Sequence, residues 1–323
     1  MNHIVVGIDL GGTMVRAGAV ETDGHILDIT ECNILADEGP EAGLKRITEV
    51  IEALLFKNRA ELKGIGIGST GPLDLKRGAI QNPYTLPGWE DVPITAPLSR
   101  HFDVPVTLEN DADVAALGEY WCGAGKGIER LMAVTFGTGV GAAFIYQGHI
   151  YRGLEGVHPE GGHSIVDPNG PLCYCGAYGC WESLASGTAI SEFARQAAAQ
   201  YPNSYMHTLA GGQINKIDSS ITVEAARKND PAAVQVIQQA ARYMGIGMVN
   251  VINFFAPEMI VLSGGVMKSS DLFLPEILNI VHQNNRMVPA DKVKIVKAQL
   301  GYYAGITGAA YTVYQLLSSV KGL

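Results

Sequence analysis

The feature that most restricts the fold is a pattern that occurs twice. His3 to Asp9 is a short β-branched run broken by Gly11-Gly12. Met14 to Val20 then resumes an apolar strand, and Thr22-Asp23-Gly24 turns into a third strand at His25 to Thr30. Later in the chain come Arg130 to Phe136, the break Gly137-Thr138-Gly139, Val140 to Tyr146, the turn Gln147-Gly148 and a short strand His149-Ile150-Tyr151. Apolar runs rich in Val and Ile and bounded by Gly and Asp read as buried strands. Strand, glycine turn, strand, turn, strand at both places reads as an internal duplication. Two such halves predict two similar α/β domains facing each other across a cleft, the usual place for a ligand.

The remaining pattern fits that class. Helical periodicity runs from Glu41 to Phe56, strands are expected at Gly64 to Gly68 and Val104 to Leu108, and a helix at Ala112 to Trp121. The second half adds a long apolar-rich helix from Pro231 to Phe255, a strand Met259 to Leu262 and a helix near Asp271 to His282. A strand at Lys292 to Val296 and a last helix from Ile306 to Leu317 complete it. With no flexible linker in sight, the chain is expected to cross between domains near Gly118 to Gly127. At 323 residues, 47% hydrophobic and 17% charged, it is long enough for two cores.

The net charge is −9 with no Lys/Arg block, so electrostatics offer no case for a nucleic-acid partner. ATP stays open, because backbone N–H groups and a metal ion can hold phosphates. The stretch Ile4 to Leu10 is too short, and carries Asp9, to be a signal peptide or membrane span. Five cysteines, three of them within eight residues, argue against a secreted disulfide framework, and the cytoplasm is expected.

In Asp9-Leu10-Gly11-Gly12-Thr13, two glycines after a strand let the backbone turn its N–H groups onto a phosphate. Thr13 adds a hydroxyl donor, and Asp9 suits a hydrated Mg²⁺ bridging the phosphates. The same residues also suit a plain hairpin. Gly137-Thr138-Gly139 is a near-copy, and two matched loops can close on one polyphosphate from opposite sides. No G-x-x-x-x-G-K-[ST] occurs. Gly66-Ile-Gly68-Ser-Thr-Gly71 fits G-x-G-x-x-G, but Pro72 comes next and no helix opens, so it lacks the dinucleotide context.

His163, Cys173, Cys175 and Cys180 are spaced H-x9-C-x-C-x4-C. Three thiolates and one imidazole make a closed tetrahedral zinc site, structural because no coordination position is left open. Pro168-Asn169-Gly170-Pro171 lies between the ligands, so the metal would tie down irregular chain. Cys32 and Cys122 read as ordinary core thiols.

Together, Asp9-Leu-Gly-Gly-Thr13, Leu108-Glu-Asn-Asp-Ala112, Phe136-Gly-Thr-Gly139, Glu160-Gly-Gly-His163 and Cys173-Tyr-Cys-Gly-Ala-Tyr-Gly-Cys-Trp-Glu182 resemble the ROK family. That family holds bacterial sugar kinases, sugar-responsive repressors and uncharacterised reading frames, and the likeness spans nearly the whole chain in order. It implies an actin-like (duplicated ribonuclease H-like) α/β fold with two domains around a central cleft. The first domain would be residues 1–117 plus 305–323, and the second residues 118–304 with the zinc-binding loop. The implied activity is ATP-dependent phosphorylation of a hexose, glucose first, at the 6-hydroxyl. Fructose, mannose, N-acetylmannosamine, N-acetylglucosamine and allose stay open. Homodimers or homotetramers are common among such proteins.

By the same resemblance Asp111 is the general base, accepting the proton of the attacking sugar hydroxyl. An N-cap is the other reading for Asn110 and Asp111, both well suited to it. Asn110, Glu160, His163 and Glu182 match sugar-contacting positions, and Gly71 belongs to a loop beside the sugar. Gly264 and Gly265, after Ser263, match the adenosine element; a simple strand-to-helix turn fits them as well. One His163 nitrogen would bind zinc while the other donates to a sugar hydroxyl. Two departures stand out. Thr85-Leu-Pro-Gly-Trp89 replaces the Asn-Leu-Pro-Gly-Trp frequent in the sugar kinases, and Gly161 stands where a larger apolar residue is usual. A repressor would carry an added N-terminal helix-turn-helix domain and often lose the phosphate loop; here Met1 lies two residues before the first strand and the loop is intact.

Overall fold

The computed structural model describes residues 3–321; residues 1–2 and 322–323, the outermost ends of the first expected domain, lie outside them. The chain opens with β1 (His3–Leu10), β2 (Met14–Val20), β3 (Ile26–Asn33), α1 (Pro40–Asn58) and β4 (Glu61–Ser69). Next are three two-residue strands, β5 (Leu73–Asp74), β6 (Ala79–Ile80) and β7 (Val92–Pro93). Then come α2 (Thr95–Phe102), β8 (Val106–Asn110) and α3 (Asp111–Cys122). The pattern restarts with β9 (Arg130–Phe136), β10 (Val140–Tyr146) and β11 (His149–Ile150). Helices α4 (Trp181–Ala185), α5 (Gly187–Gln200), α6 (Tyr205–Leu209), α7 (Ser219–Arg227) and α8 (Pro231–Phe255) precede β12 (Met259–Ser263). The chain ends with α9 (Ser270–Asn284), β13 (Lys294–Lys297) and α10 (Ala304–Lys321).

The first large sheet has the order β3-β2-β1-β4-β8 and the second β11-β10-β9-β12-β13, so the two orders are the same. In the first, β1–β2 and β2–β3 are antiparallel, while β1–β4 and β4–β8 are parallel. In the second, β10–β11 is antiparallel, and β9–β12 and β12–β13 are parallel. The chain divides into two compact units. One takes in the chain up to Glu129, Phe144–Tyr151 and the chain from Ala298 on; the other is Arg130–Ala143 with Arg152–Lys297.

In the first unit β1 alternates strictly. Ile4, Val6, Ile8 and Leu10 pack into one core with Ile47, Ile51 and Leu54 of α1, while Val5 joins Ile306, Ala310 and Val313 of α10 on the opposite face. Helix α10 lies almost on the sheet backbone, because a Cβ on Gly66 would fall 1.8 Å from the Ala309 carbonyl oxygen. It meets α3 as closely, a Cβ on Gly308 falling 1.6 Å from the Val114 carbonyl. Strand glycines that look like weak points in the sequence are therefore where a helix seats. The buried Glu119 carboxylate near the end of α3 accepts the N–H groups of Ala124, Gln299 and Leu300 at 2.9, 3.1 and 2.7 Å.

In the second unit α8 starts on an Asp230 side-chain cap with Pro231 at its first turn, as that sequence dictates. Its buried stripe includes Ile237, Met244, Met248 and Ile252. Trp181 is fully buried; a Cβ on Gly247 of α8 would fall 2.0 Å from its ring, and Phe136 meets it edge-on at 5.5 Å. The loop that ends at Cys180 is thereby anchored to the main helix of its unit.

The expected strands and long helices are present, β9, β10 and α8 with the expected bounds. The small sheet β5–β7 and helices α2 and α4 to α7 are additions to the sequence expectation, since strands of two residues carry no readable period. β4 runs on to Ser69 and meets a cis Gly71–Pro72 peptide rather than a helix, so the G-x-G-x-x-G match is no nucleotide loop. Cys32 and Cys122 are half-buried, and Cys32 packs against the core of the first unit. Among the described residues, no helix is long and apolar enough to cross a membrane.

Candidate active site

In the first unit, the parallel neighbours β1, β4 and β8 end side by side. Asp9 pairs with Gly68, Leu10 with Ser69, and Ser69 with Asn110. Parallel strands deliver their outgoing loops to the same sheet edge, where ligands of α/β sheets bind. The glycine turn, the loop after Ser69 and the Asn110-Asp111 pair thus emerge together.

The glycine turn is closed by the Gly11 N–H donating to the Met14 carbonyl at 2.9 Å, and Thr13 at its end is exposed. A Cβ on Gly12 would fall 2.5 Å from the Thr85 carbonyl oxygen, so this turn and the Thr85 loop touch backbone to backbone. Asp9 accepts from Arg16 Nη1 at 3.0 Å, and the Arg16 guanidinium stacks 4.4 Å over the Tyr302 ring. Burial outweighs Arg16 and raises the Asp9 carboxyl above its ordinary range. Once ionised, a half-buried carboxylate at a strand end suits a divalent cation, and Mg²⁺ is commonly held by one or two carboxylates together with substrate phosphates.

The cap question at Asn110 and Asp111 resolves into two neighbouring roles. Asn110 has extended backbone and its Oδ1 accepts the Ala112 N–H at 2.9 Å, so it is the N-cap of α3. Asp111 is the first helical residue, and its Oδ1 accepts the same N–H at 2.8 Å. A Cβ on Gly71 would lie 3.6 Å from Asn110 Nδ2, which puts the two positions next to each other.

Asn82 is the residue that sequence reading missed. It is fully buried, yet its amide Nδ2 donates to Thr85 Oγ1 at 2.6 Å and to Thr70 Oγ1 at 3.2 Å. Its Oδ1 accepts the Tyr84 and Thr85 N–H groups, each at 3.0 Å. The Asn-Pro dipeptide ahead of Thr85 was the available signal, since Asn favours such turns.

In the second unit the other glycine turn meets the Ser263-Gly264-Gly265 segment. Ser263 Oγ and Thr135 Oγ1 are 2.7 Å apart, and a Cβ on Gly264 would fall 2.3 Å from the Phe136 carbonyl. Gly264 has φ of +93°, a conformation that favours glycine, and Gly265 faces open space. Gly137 accepts the Gly187 N–H at 2.8 Å and Thr138 accepts the Thr188 hydroxyl at 2.8 Å, which ties the turn to the start of α5. Glu182 Oε2 accepts the Val140 N–H at 2.9 Å, and a Cβ on Gly139 would meet that oxygen at 2.2 Å. The Glu182 carboxylate therefore lies directly beneath this turn. A pocket of about 490 Å³ opens beside it, lined by Thr138, Gly139, Glu182, Tyr174, Thr188 and residues of the cysteine loop and α5.

The ligating atoms of His163, Cys173, Cys175 and Cys180 all lie within 4.8 Å of one another. His163 Nδ1 is 3.6 Å from Cys173 Sγ, and the Cys175 and Cys180 sulfurs are 3.5 Å apart. Burial and then the neighbouring sulfurs push the Cys180 thiol up to about 12. A thiol that resists ionisation alone, as Cys180 does, becomes a thiolate beside a bound cation, and this donor set with these spacings fits tetrahedral zinc. The other ring nitrogen of His163, Nε2, is 3.1 Å from the Tyr174 hydroxyl, which also bonds Glu182 and is pushed up to about 12 by burial and that carboxylate. Glu160 is exposed, and its carbonyl accepts the His163 N–H at 3.0 Å. Gly161 has a packing reason, because a Cβ there would fall 2.7 Å from the Ala142 methyl.

Known proteins share this architecture. The model of the ROK family matches residues 5–315. The chain is 34% identical over 306 residues to a glucokinase of Thermotoga maritima, covering 95% of this chain and 96% of that protein. Among solved structures, a ROK family glucokinase from Streptomyces griseus in complex with glucose and AMPPNP superposes with a TM-score of 0.78 at 33% identity, covering 97% and 99% of the two chains. The ROK hexokinase from Thermus thermophilus gives 0.86 at 32% identity, covering 98% and 99%. The shared fold is the two-domain actin-like ATPase fold, consistent with the repeated sheet order. The chain belongs to the ROK family.

Proposed function

We propose that this chain transfers the γ-phosphoryl group of ATP to the 6-hydroxyl of a hexose, glucose first, with Asp111 as the base. Its family and its glucokinase relatives make it an ATP-dependent sugar kinase. The observation that carries the finer reading is the shared edge of β1, β4 and β8, which presents Asp9, the Thr70–Pro72 loop and Asn110-Asp111 in neighbouring positions. Strands lie about 4.8 Å apart, so two strand spacings separate the Asp9 and Asn110 positions by about 10 Å. That span suits a polyphosphate end at one side and an acceptor alcohol at the other.

In this reading Asp111 accepts the proton of the sugar hydroxyl as its oxygen attacks the γ-phosphorus, and the bond to the β-phosphate oxygen breaks to leave ADP. The Gly11-Gly12 turn offers backbone N–H groups to a phosphate, and in the second unit the Gly137–Gly139 turn does likewise, with Gly264 and Gly265 leaving room for a nucleoside. Asp9 would hold Mg²⁺, which when bound spreads the charge of the phosphates. His163, Cys173, Cys175 and Cys180 would hold zinc, which when bound ties the 163–180 loop to Trp181 and α8. Glu160, His163, Glu182, Asn110 and Thr85 would meet the sugar hydroxyls, with the Tyr174 hydroxyl leaving His163 Nε2 as sugar arrives. Reduced cysteines as ligands favour the cytoplasm as the compartment.

The test is ATP-dependent ADP release over a panel of glucose, mannose, fructose, allose, N-acetylglucosamine and N-acetylmannosamine, with the product's phosphate position read by NMR. Glucose with the highest kcat/KM and phosphate on O6 is expected. A different sugar at the top revises the substrate, and turnover on none refutes the kinase reading.

A further inference from the structure

We infer that Asn82 is a positioning residue that sets sugar specificity by fixing the Thr85 hydroxyl as a hydrogen-bond donor. This rests on the reading of Thr85 as a sugar contact. The orientation of the amide is unambiguous: the Tyr84 and Thr85 backbone N–H groups, both 3.0 Å away, can only donate, so the atom they meet is Oδ1. Nδ2 then faces Thr85 Oγ1 at 2.6 Å, Thr70 Oγ1 at 3.2 Å and the Thr70 carbonyl at 3.3 Å. Both threonine hydroxyl oxygens accept from this one amide.

The two hydroxyls are 3.1 Å apart, so one donates to the other. Of their two protons, one is used inside the pair and one is left to point outward. Thr85 is the more exposed of the two and lies against the Gly12 turn, so the outward proton is its own. This edge of the site therefore offers a donor and reads an oxygen lone pair on the substrate. An Asn at position 85 would offer a donor and an acceptor together, and would read either.

Two substitutions probe the device from opposite ends. Thr85→Val removes the hydroxyl at an exposed position with little change of volume. Asn82→Asp keeps the oxygen that holds the two backbone N–H groups but replaces the amide donor with an acceptor, which draws the hydroxyl protons inward. The assay is steady-state phosphorylation by the full chain at saturating ATP, using the best hexose and its monodeoxy and monodeoxyfluoro analogues at the non-reacting ring positions. At one ring position the wild type should lose about tenfold in kcat/KM with the deoxy sugar. The fluoro sugar, which keeps a lone pair but no proton, should recover at least about twofold of that. Thr85→Val should lower kcat/KM for the parent sugar about tenfold and flatten the deoxy penalty at that position to within about twofold, and Thr85→Ser should restore both. Asn82→Asp should flatten it likewise; if that variant does not fold, the Thr85→Val and Thr85→Ser pair decides. A Thr85→Val enzyme with the wild-type profile, or a fluoro sugar no better than its deoxy partner, overturns the inference. A wild type that phosphorylates no hexose brings down the kinase reading instead.

Discussion

Replacing Asp111 with Ala separates two jobs that this position is suited to. The Ala112 N–H has two acceptors, Asn110 Oδ1 at 2.9 Å and Asp111 Oδ1 at 2.8 Å. Removing Asp111 leaves that N–H satisfied by the cap. The helix then loses a negative charge in its first turn, about 0.3–1 kcal/mol. For a protein with domains of this size that is a fall in Tm of no more than about 4 °C. The rate should respond on a different scale. A general base contributes about 10²–10⁴-fold, or about 3–5 kcal/mol of barrier. Asn110→Ala makes the contrast: losing the cap costs about 1 kcal/mol and a sugar contact, raising KM, but the base stays in place. The measurements are ADP release at saturating sugar alongside a thermal melt for each variant. If Asp111→Ala keeps more than about a tenth of wild-type kcat, the base assignment is wrong. If it melts well below Asn110→Ala, Asp111 and not Asn110 is the main cap.

Other parts of the molecule carry expectations of their own. The purified chain should carry about one zinc per molecule by elemental analysis, and chelation should lower Tm and free the already exposed Cys175 thiol to react with a colorimetric reagent; metal-free protein with an unchanged melt would contradict the zinc site. Glu119→Gln leaves one oxygen for N–H groups that now share two, so at least one goes unpaired, at about 1–3 kcal/mol; a Tm within about 1 °C of wild type would show that those bonds do not matter. The Arg227 guanidinium, 2.7 and 2.8 Å from Asp271, holds that carboxyl below its ordinary 3.8. A depressed folded-state pKa stabilises above the unfolded value and is lost as pH falls through the folded one. The Tm gap between wild type and Asp271→Asn should therefore be present at neutral pH, small because the pair is exposed, and lost as the pH falls through the lowered folded-state value. A gap that widens on acidification would refute the pairing.

Much of the candidate site was legible because it lies in short contiguous segments. Asp9 to Thr13, Gly137 to Gly139 and His163 to Cys180 each carry their chemistry within one turn or loop, where residue type and spacing are enough. The same holds for β9, β10 and α8, whose period, cap and breakers sit inside the element. Asn82 was illegible for the opposite reason. Its importance lies in the Thr70 hydroxyl twelve residues back, brought near only because the β5–β7 ribbon folds the chain onto itself. The role of Glu119 likewise depends on Gln299 and Leu300, which no local pattern links to α3.

Sequence alone therefore determined the duplicated α/β plan, the two glycine turns and the cysteine-histidine set, since strand period, missing Cβ atoms and ligand spacing act over a few residues. Tertiary structure decided which of Asn110 and Asp111 caps α3, what lies beneath the Gly139 turn, and which buried amide meets the Thr85 hydroxyl. These depend on hydrogen bonds, many of them between residues far apart in the chain, and a donor's partner is set by where the backbone places it rather than by which residue stands next to it.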